Sequence, residues 1–172
     1  MAYSDKRLTT IKLAKEYMKF SAAHFTIFSA QERERLHGHN FTVKAEILTP
    51  VREDGLAFNY RIYKDKLKAC CQQLDEYVLI PRESPYLEIE EEAEQYRIRF
   101  NNETLFFPKS DTLLLPIRNS TVEEYSYYLL NCLLQSSSDL VDLDIHKITI
   151  EVSSGPGQSG SSEWLSNKVK KG

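Results

Sequence analysis

The chain has 172 residues, 41% of them hydrophobic, and 22 basic against 25 acidic residues give a formal net charge of −3. That is the size of one ordinary domain, 1–172, able to bury a core without staples. Basic and acidic residues are mixed along the chain, so no basic stripe points to nucleic acid, and no apolar run approaches the roughly 20 residues of a membrane span.

The N-terminal stretch MAYSDKRLTTIKLAKEYMKF carries charges throughout and lacks the apolar core of a secretory signal, so a cytoplasmic location is expected. Residues 11–28, ending in SAAHFTIF, are aromatic-rich and short of helical periodicity, which predicts a strand. Polar residues 29–35 link it to a second strand from His37 to Thr49, in which VKAEI alternates apolar and polar. These two should form an antiparallel hairpin. Pro50 and the Asp54-Gly55 pair mark a turn. Leu67, Cys70, Cys71, Leu74 and Val78 then recur at helical spacing, one face of an amphipathic helix that ends before Pro81.

Residues 82–117 alternate in pieces around Asn101-Asn102 and are expected to be an inserted hairpin or two, with the acidic run Glu88 to Glu94 as a solvated face. Ser120, with Glu123 three residues on, fits a capping box that opens a second helix, STVEEYSYYLLNCLLQS. Residues 145–152 alternate as a final strand. The stretch SSGPGQSGSSEW after it is either a flexible tail or a loop that approaches a ligand closely. Cys70, Cys71 and Cys132 have no zinc-ribbon spacing and are odd in number, so they are expected to be reduced packing residues. The predicted order is β-β-α-(β-β)-α-β, an α+β plan with two helices laid on an antiparallel sheet.

The motif RLHGHNF places His37 and His39 on one face of a strand, because residues i and i+2 share a face. If 18–28 pairs with 37–48, His24 comes across the sheet and three imidazoles converge. Three nitrogen ligands with an open fourth position are the usual holder of a catalytic Zn²⁺. Histidines on strands also serve simply to pack or hydrogen-bond, and that alternative stands. Three of the four histidines, however, fall between residues 24 and 39.

FSAAHF and LHGHNFTVKAEI resemble the 6-pyruvoyl tetrahydropterin synthase and 6-carboxytetrahydropterin synthase family, in which a first His in an F-S-A-x-H-type strand and an H-G-H-N-[FY] strand bind zinc. DGLAFNYRIYKDKLKACCQQLDE is similar to the family's G-M-V-x-D-[FY]…L-K…L-D-H segment, and NSTVEEYSYYLL to its T-x-E-N segment. The resemblance covers roughly residues 10–80 and 117–152, leaving about 82–116 as an insertion. It implies a tunnelling fold (T-fold) whose subunits join their sheets into a barrel, commonly a homohexamer built as a dimer of trimers. It also implies zinc on His24, His37 and His39, and a reduced pterin substrate such as 7,8-dihydroneopterin triphosphate. The chemistry would be that of a lyase: zinc polarises side-chain oxygens of the substrate while acid/base groups move the adjacent protons.

Measured against that family the chain departs at three places. No Cys precedes H-G-H; Glu34 stands three before His37, as in a sub-group with Glu in place of Cys whose product shifts toward 6-hydroxymethyl-7,8-dihydropterin, a folate precursor. Burial would raise such a carboxylate's pKa toward the working pH, although a loop carboxylate paired with Arg33 or Arg35 fits equally. Asp75 is kept, but Glu76 replaces the family's His; the two carboxylates either share a proton or form the polar end of a helix. His146 is the one remaining histidine that could substitute. The family's pterin-anchoring Glu has its counterpart in Glu151, one residue out of register unless a bulge restores it. Thr121 and Glu123 are further substrate contacts, the latter with the capping role as its alternative. Two functions follow from the resemblance, a zinc-dependent pterin lyase of altered product and a zinc-binding homologue that holds a pterin without turnover.

Overall fold

The computed structural model describes residues 7–167; part of the N-terminal stretch discussed above and the last five residues lie outside the described residues. Residues 11–28 divide into two strands, β1 (Leu8–Leu13) and β2 (Lys19–His24). The turn between them is closed by the Met18 N–H donating to the Lys15 carbonyl at 2.9 Å. It contains no Gly or Pro, so the sequence carries no punctuation there. The long strand β3 (His37–Pro50) pairs antiparallel with both, β2 along His37–Thr42 and β1 along Ala45–Pro50.

Phe41, Val43, Ala45 and Ile47 of β3 are buried, whereas Thr42 and Lys44 between them are exposed. Two helices cover the apolar face. Helix α1 (Arg61–Gln72) buries Tyr63, Leu67, Cys70 and Cys71. It stops at Gln72 rather than running on to Pro81, and after Glu76, at φ 65°, Tyr77–Pro81 becomes strand β4, parallel to β2. Leu79 and Ile80 are both fully buried. A strand buried on both faces shows no alternation, which is why its residues read as a continuation of the helical stripe.

The segment expected to be an insertion forms its own antiparallel sheet of β5 (Glu88–Glu91), β6 (Gln95–Phe100) and β7 (Glu103–Pro108), two hairpins sharing β6. Its acidic run is cross-linked rather than merely solvated: Glu90 pairs with Arg97 and Arg99, Glu88 with Arg99, and Glu91 with Lys109 at 2.8 Å. Strand β8 (Thr112–Leu115) then returns to lie parallel to β4. Ile98, Phe100 and Phe107 of the insertion build a second core with Phe25, Ile27 and Ile80.

Helix α2 (Val122–Gln135) is capped by Thr121, whose side chain accepts from the Glu124 N–H, so the N-cap falls one residue later than expected, and the Glu124 carboxylate accepts from the Arg118 N–H rather than closing a capping box. Ser120 is instead fully buried and donates to the Leu79 carbonyl at 3.1 Å. The last predicted strand extends to β9 (Lys147–Gly155), and the Gly/Ser-rich stretch is no tail but strand β10 (Gln158–Leu165), returning through a turn with Gly157 at φ 79°. The main sheet has seven strands in the order β10-β9-β3-β2-β4-β8, with β1 beside β3. It is mostly antiparallel, with the two parallel pairs named above. The three cysteines are free, and Cys70 and Cys71 are buried as expected. Among the described residues no helix is long and apolar enough to cross a membrane.

Candidate metal and substrate site

The β2–β3 register sets His24 directly opposite His37, with His39 one step along the same face. The three ring centroids lie 4.7, 4.8 and 5.3 Å apart, and one nitrogen from each falls within 4.8 Å of the others. This is the core face, continued past Phe41, where the sheet meets the start of α2. Two of the rings are oriented by main-chain oxygens: His24 Nδ1 donates to the Ser120 carbonyl at 3.0 Å, and His37 Nδ1 to the Arg35 carbonyl at 2.7 Å. A carbonyl only accepts, so the proton of each neutral ring sits on Nδ1 and Nε2 keeps its lone pair.

His24 Nε2 is buried and has no hydrogen-bond partner. A buried acceptor left unpaired costs about 1–3 kcal/mol, and a cation bound by the three histidines would satisfy it. Burial pushes the His24 pKa down; the Ser120 hydrogen bond opposes this, while His37 and His39 add to it. The neutral ring, the form that binds metal, is thereby favoured. The donor set fits a metal ion.

Glu34 lies on the loop between β2 and β3. Its N–H donates to the Thr26 carbonyl at 2.8 Å, and its carboxylate accepts from the Thr26 N–H at 3.0 Å. The same carboxylate is 3.9 Å from His37 Nε2. Desolvation raises its pKa, but the Thr26 hydrogen bonds and the neighbouring His37 and His24 outweigh it and hold the carboxyl below its ordinary value. The shift is opposite to the one expected from burial, because the backbone donor stabilises the anion. Asn119 fastens the base of this loop, accepting from the Ile27 N–H at 3.0 Å and donating to the Ile27 carbonyl at 2.8 Å.

A recess of about 260 Å³ opens beside the cluster. It brings together His24, His39, Glu34, Thr121 and Glu123, all anticipated from sequence, with Phe28, Ser154 and Gln158, which were not. Ser154 and Gln158 come from the Gly/Ser-rich stretch, whose composition hinted at a close approach to a ligand. Phe28 is an exposed aromatic in a polar loop, and that exposure is visible only in the fold.

Asp75 and Glu76 lie elsewhere. Asp75 Oδ1 accepts from the Ser21 N–H at 2.7 Å, and Glu76 lines a different recess, of about 450 Å³, with Ser21, Gly38 and Asn40 on the opposite face of the sheet. Only His39 lines both. Glu151 is also outside the site: Ile150 and Val152 on either side of it are buried, so its side chain takes the opposite face and pairs with Lys44 at 2.9 Å. The irregularity in the β9–β10 register falls at Gln158/Ser159 and does not turn Glu151 around. His146 pairs with Asp144 at 3.3 Å, at the end of β9 that adjoins Leu48 rather than the histidine cluster.

The sequence profile of the 6-pyruvoyl tetrahydropterin synthase family matches residues 12–158. The chain belongs to that family. Its structure superposes on the 6-pyruvoyl tetrahydropterin synthase of Plasmodium falciparum with a TM-score of 0.88 at 32% identity, over 92% of this chain and 99% of that one. The Plasmodium vivax enzyme gives the same TM-score at 29% identity, over 93% and 99%. Two further structures of the P. vivax enzyme are alanine and cysteine variants of a glutamate described as catalytic. A provisionally named 6-carboxy-5,6,7,8-tetrahydropterin synthase of Methanocaldococcus jannaschii is 25% identical over 142 residues, 82% of this chain and 86% of that protein. This member of the family therefore has the α+β tunnelling fold, with two helices on a mostly antiparallel sheet.

Proposed function

We propose that the chain is a zinc-dependent carbon–oxygen or carbon–carbon lyase acting on a reduced pterin such as 7,8-dihydroneopterin triphosphate, with a product shifted toward 6-hydroxymethyl-7,8-dihydropterin. The observation that carries this reading is the Glu34 carboxylate, set 3.9 Å from a candidate ligand nitrogen in a loop with no cysteine. A glutamate described as catalytic in the P. vivax relative supports it.

His24, His37 and His39 would hold the zinc. Bound there, zinc would supply Lewis acidity to the substrate's side-chain oxygens and make the neighbouring protons easier to remove. Glu34, kept ionised and aimed by the Thr26 N–H, is then the group that accepts such a proton. Glu123, released from capping by Thr121, offers a carboxylate to the N–H edge of a pterin ring, a bidentate match. Thr121 lines the recess beside it, and Phe28 presents an apolar face at its rim. Asp75 and Glu76 act on this site only from a second subunit, in keeping with a homohexamer built as a dimer of trimers. The same reading takes the chain as one cytoplasmic domain with an insertion over about 82–116.

A second reading, pterin binding without turnover, is favoured by the placement of Glu76 on the other face of the sheet. One experiment separates the two. Metal-loaded protein is mixed with dihydroneopterin triphosphate and the pterins are followed by mass spectrometry, with metal content and calorimetric binding measured in parallel. A new pterin is expected, with the rate falling about a hundredfold or more in Glu34→Gln. Binding without product establishes the second reading; neither binding nor product overturns both.

A further inference from the structure

Besides its apolar packing on Phe25 and Ile27, the inserted sheet meets the loop that carries Glu34 at Arg33. Arg33 precedes Glu34, and its side chain is only 13% exposed. The guanidinium carbon lies 4.9 Å from the Phe25 ring centroid and 5.8 Å from that of Phe100. Nε donates to Glu103 Oε2 at 2.9 Å, Nη2 reaches the same oxygen, and Nη1 donates to the Glu34 carbonyl at 2.8 Å. Phe25 directly follows His24, whereas Phe100 ends β6 and Glu103 begins β7. Arg33 is therefore gripped by the insertion and in turn grips the Glu34 peptide.

The rest of the loop fixes its own shape but not its place. Its tip closes on itself, with the Phe28 N–H donating to the Glu32 carbonyl at 2.9 Å, and most of residues 28–36 are exposed. Asn119 holds the strand side of the loop at Ile27. The returning side is held at Arg33, where a planar guanidinium with several donors makes a fork that Lys cannot reproduce. With the Glu34 peptide tied at its carbonyl by Arg33 and at its N–H by Thr26, only side-chain torsions remain free. The Thr26 N–H restrains those.

We propose that the insertion is a positioning element for Glu34, with Arg33 and Glu103 as its positioning residues. This rests on the reading of Glu34 as the proton-transfer group. The test uses full-length, metal-loaded protein and Glu103→Ala, a change at a half-exposed side chain. The kcat on dihydroneopterin triphosphate should fall about tenfold, with KM unchanged within about twofold and metal content unaltered. Hydrogen exchange over residues 25–36 should quicken about tenfold while that of α2 stays constant. Glu103→Asp should recover part of the kcat, and Arg33→Lys should lower it as Glu103→Ala does. Glu88→Gln, which removes a partner of Arg99 elsewhere in the insertion, should leave it unchanged.

In an active enzyme both shifts are required: an unchanged kcat, unchanged exchange over 25–36, or a loss shared by Glu88→Gln or accompanied by loss of metal overturns the proposal. If wild-type protein turns over no pterin, the lyase reading fails, and exchange alone decides. Faster exchange confined to 25–36 upholds the buttress, and unchanged exchange removes it.

Discussion

His24 has different neighbours on its two ring nitrogens, a carbonyl on one side and the other two histidines on the other, and this sets how the protein responds to acid. Burial holds its pKa below the ordinary imidazole value of 6.5. Below about pH 6.5 the unfolded chain takes up a proton that the folded chain refuses, so stability is complete above that pH and is lost as pH falls toward the lower folded value. Thermal melts of metal-free protein from about pH 7.5 down to about pH 5 should show Tm dropping below about pH 6.5, and His24→Gln should flatten that profile. Protons and metal compete for the same lone pair, so metal affinity, read by competition with a chelator, should weaken over the same range. At this scale the meeting of the three histidines was legible, because His-x-His on a strand and a third His in a pairing strand need only the period of two. The acceptors at Ser120 and Arg35 were not legible, since they are main-chain atoms whose identity no side-chain pattern records.

The elements around the recess meet at the start of α2, and there the packing is tight. A Cβ on Gly160 of β10 would stand 2.9 Å from the Glu123 nitrogen and 3.0 Å from the Val122 carbonyl carbon, both backbone atoms. Gly160→Ala must therefore displace the first turn of α2 or the strand. A loss of about 1–3 kcal/mol in urea denaturation is expected, with pterin binding weakened because Glu123 moves. Thr121→Ala, which removes the cap, should cost about 1 kcal/mol in the same assay. STVEE holds two overlapping capping boxes, Ser120 with Glu123 and Thr121 with Glu124, and the local pattern does not choose between them. Burial does: Ser120 is drawn inside to the Leu79 carbonyl, so the helix starts at the second. The same competition explains the other shifts. Tyr77–Pro81 became a strand because β2 offered a parallel neighbour, and the Gly/Ser-rich stretch became β10 because β9 offered an unpaired edge. Neither neighbour is local in sequence.

For the molecule as a whole, the proposed machinery is divided between two recesses that share only His39. If Glu34 and Glu76 serve one reaction, they do so across a subunit boundary, and sedimentation should show an oligomer rather than a 20.0 kDa species. Glu34→Gln and Glu76→Gln, each nearly inactive alone, should regain up to about one quarter of wild-type activity when mixed and reassembled, the share of sites that draw both intact residues. No recovery would exclude Glu76 from the site. The face on which Asp75 and Glu76 lie could not be foreseen from their position at the end of a helical pattern, because it depends on where the chain turns into β4. The two oxygens that lock the histidine rings have a consequence for which positions can drift. No exchange of side chain deletes a peptide carbonyl, so Arg35, itself exposed, can change freely without unlocking His37. Ser120 is limited by the space around it rather than by its chemistry toward His24. Inheritance of the ring tautomers is thus entrusted to chain geometry, and divergent sequences can keep them while sharing little more than the histidines.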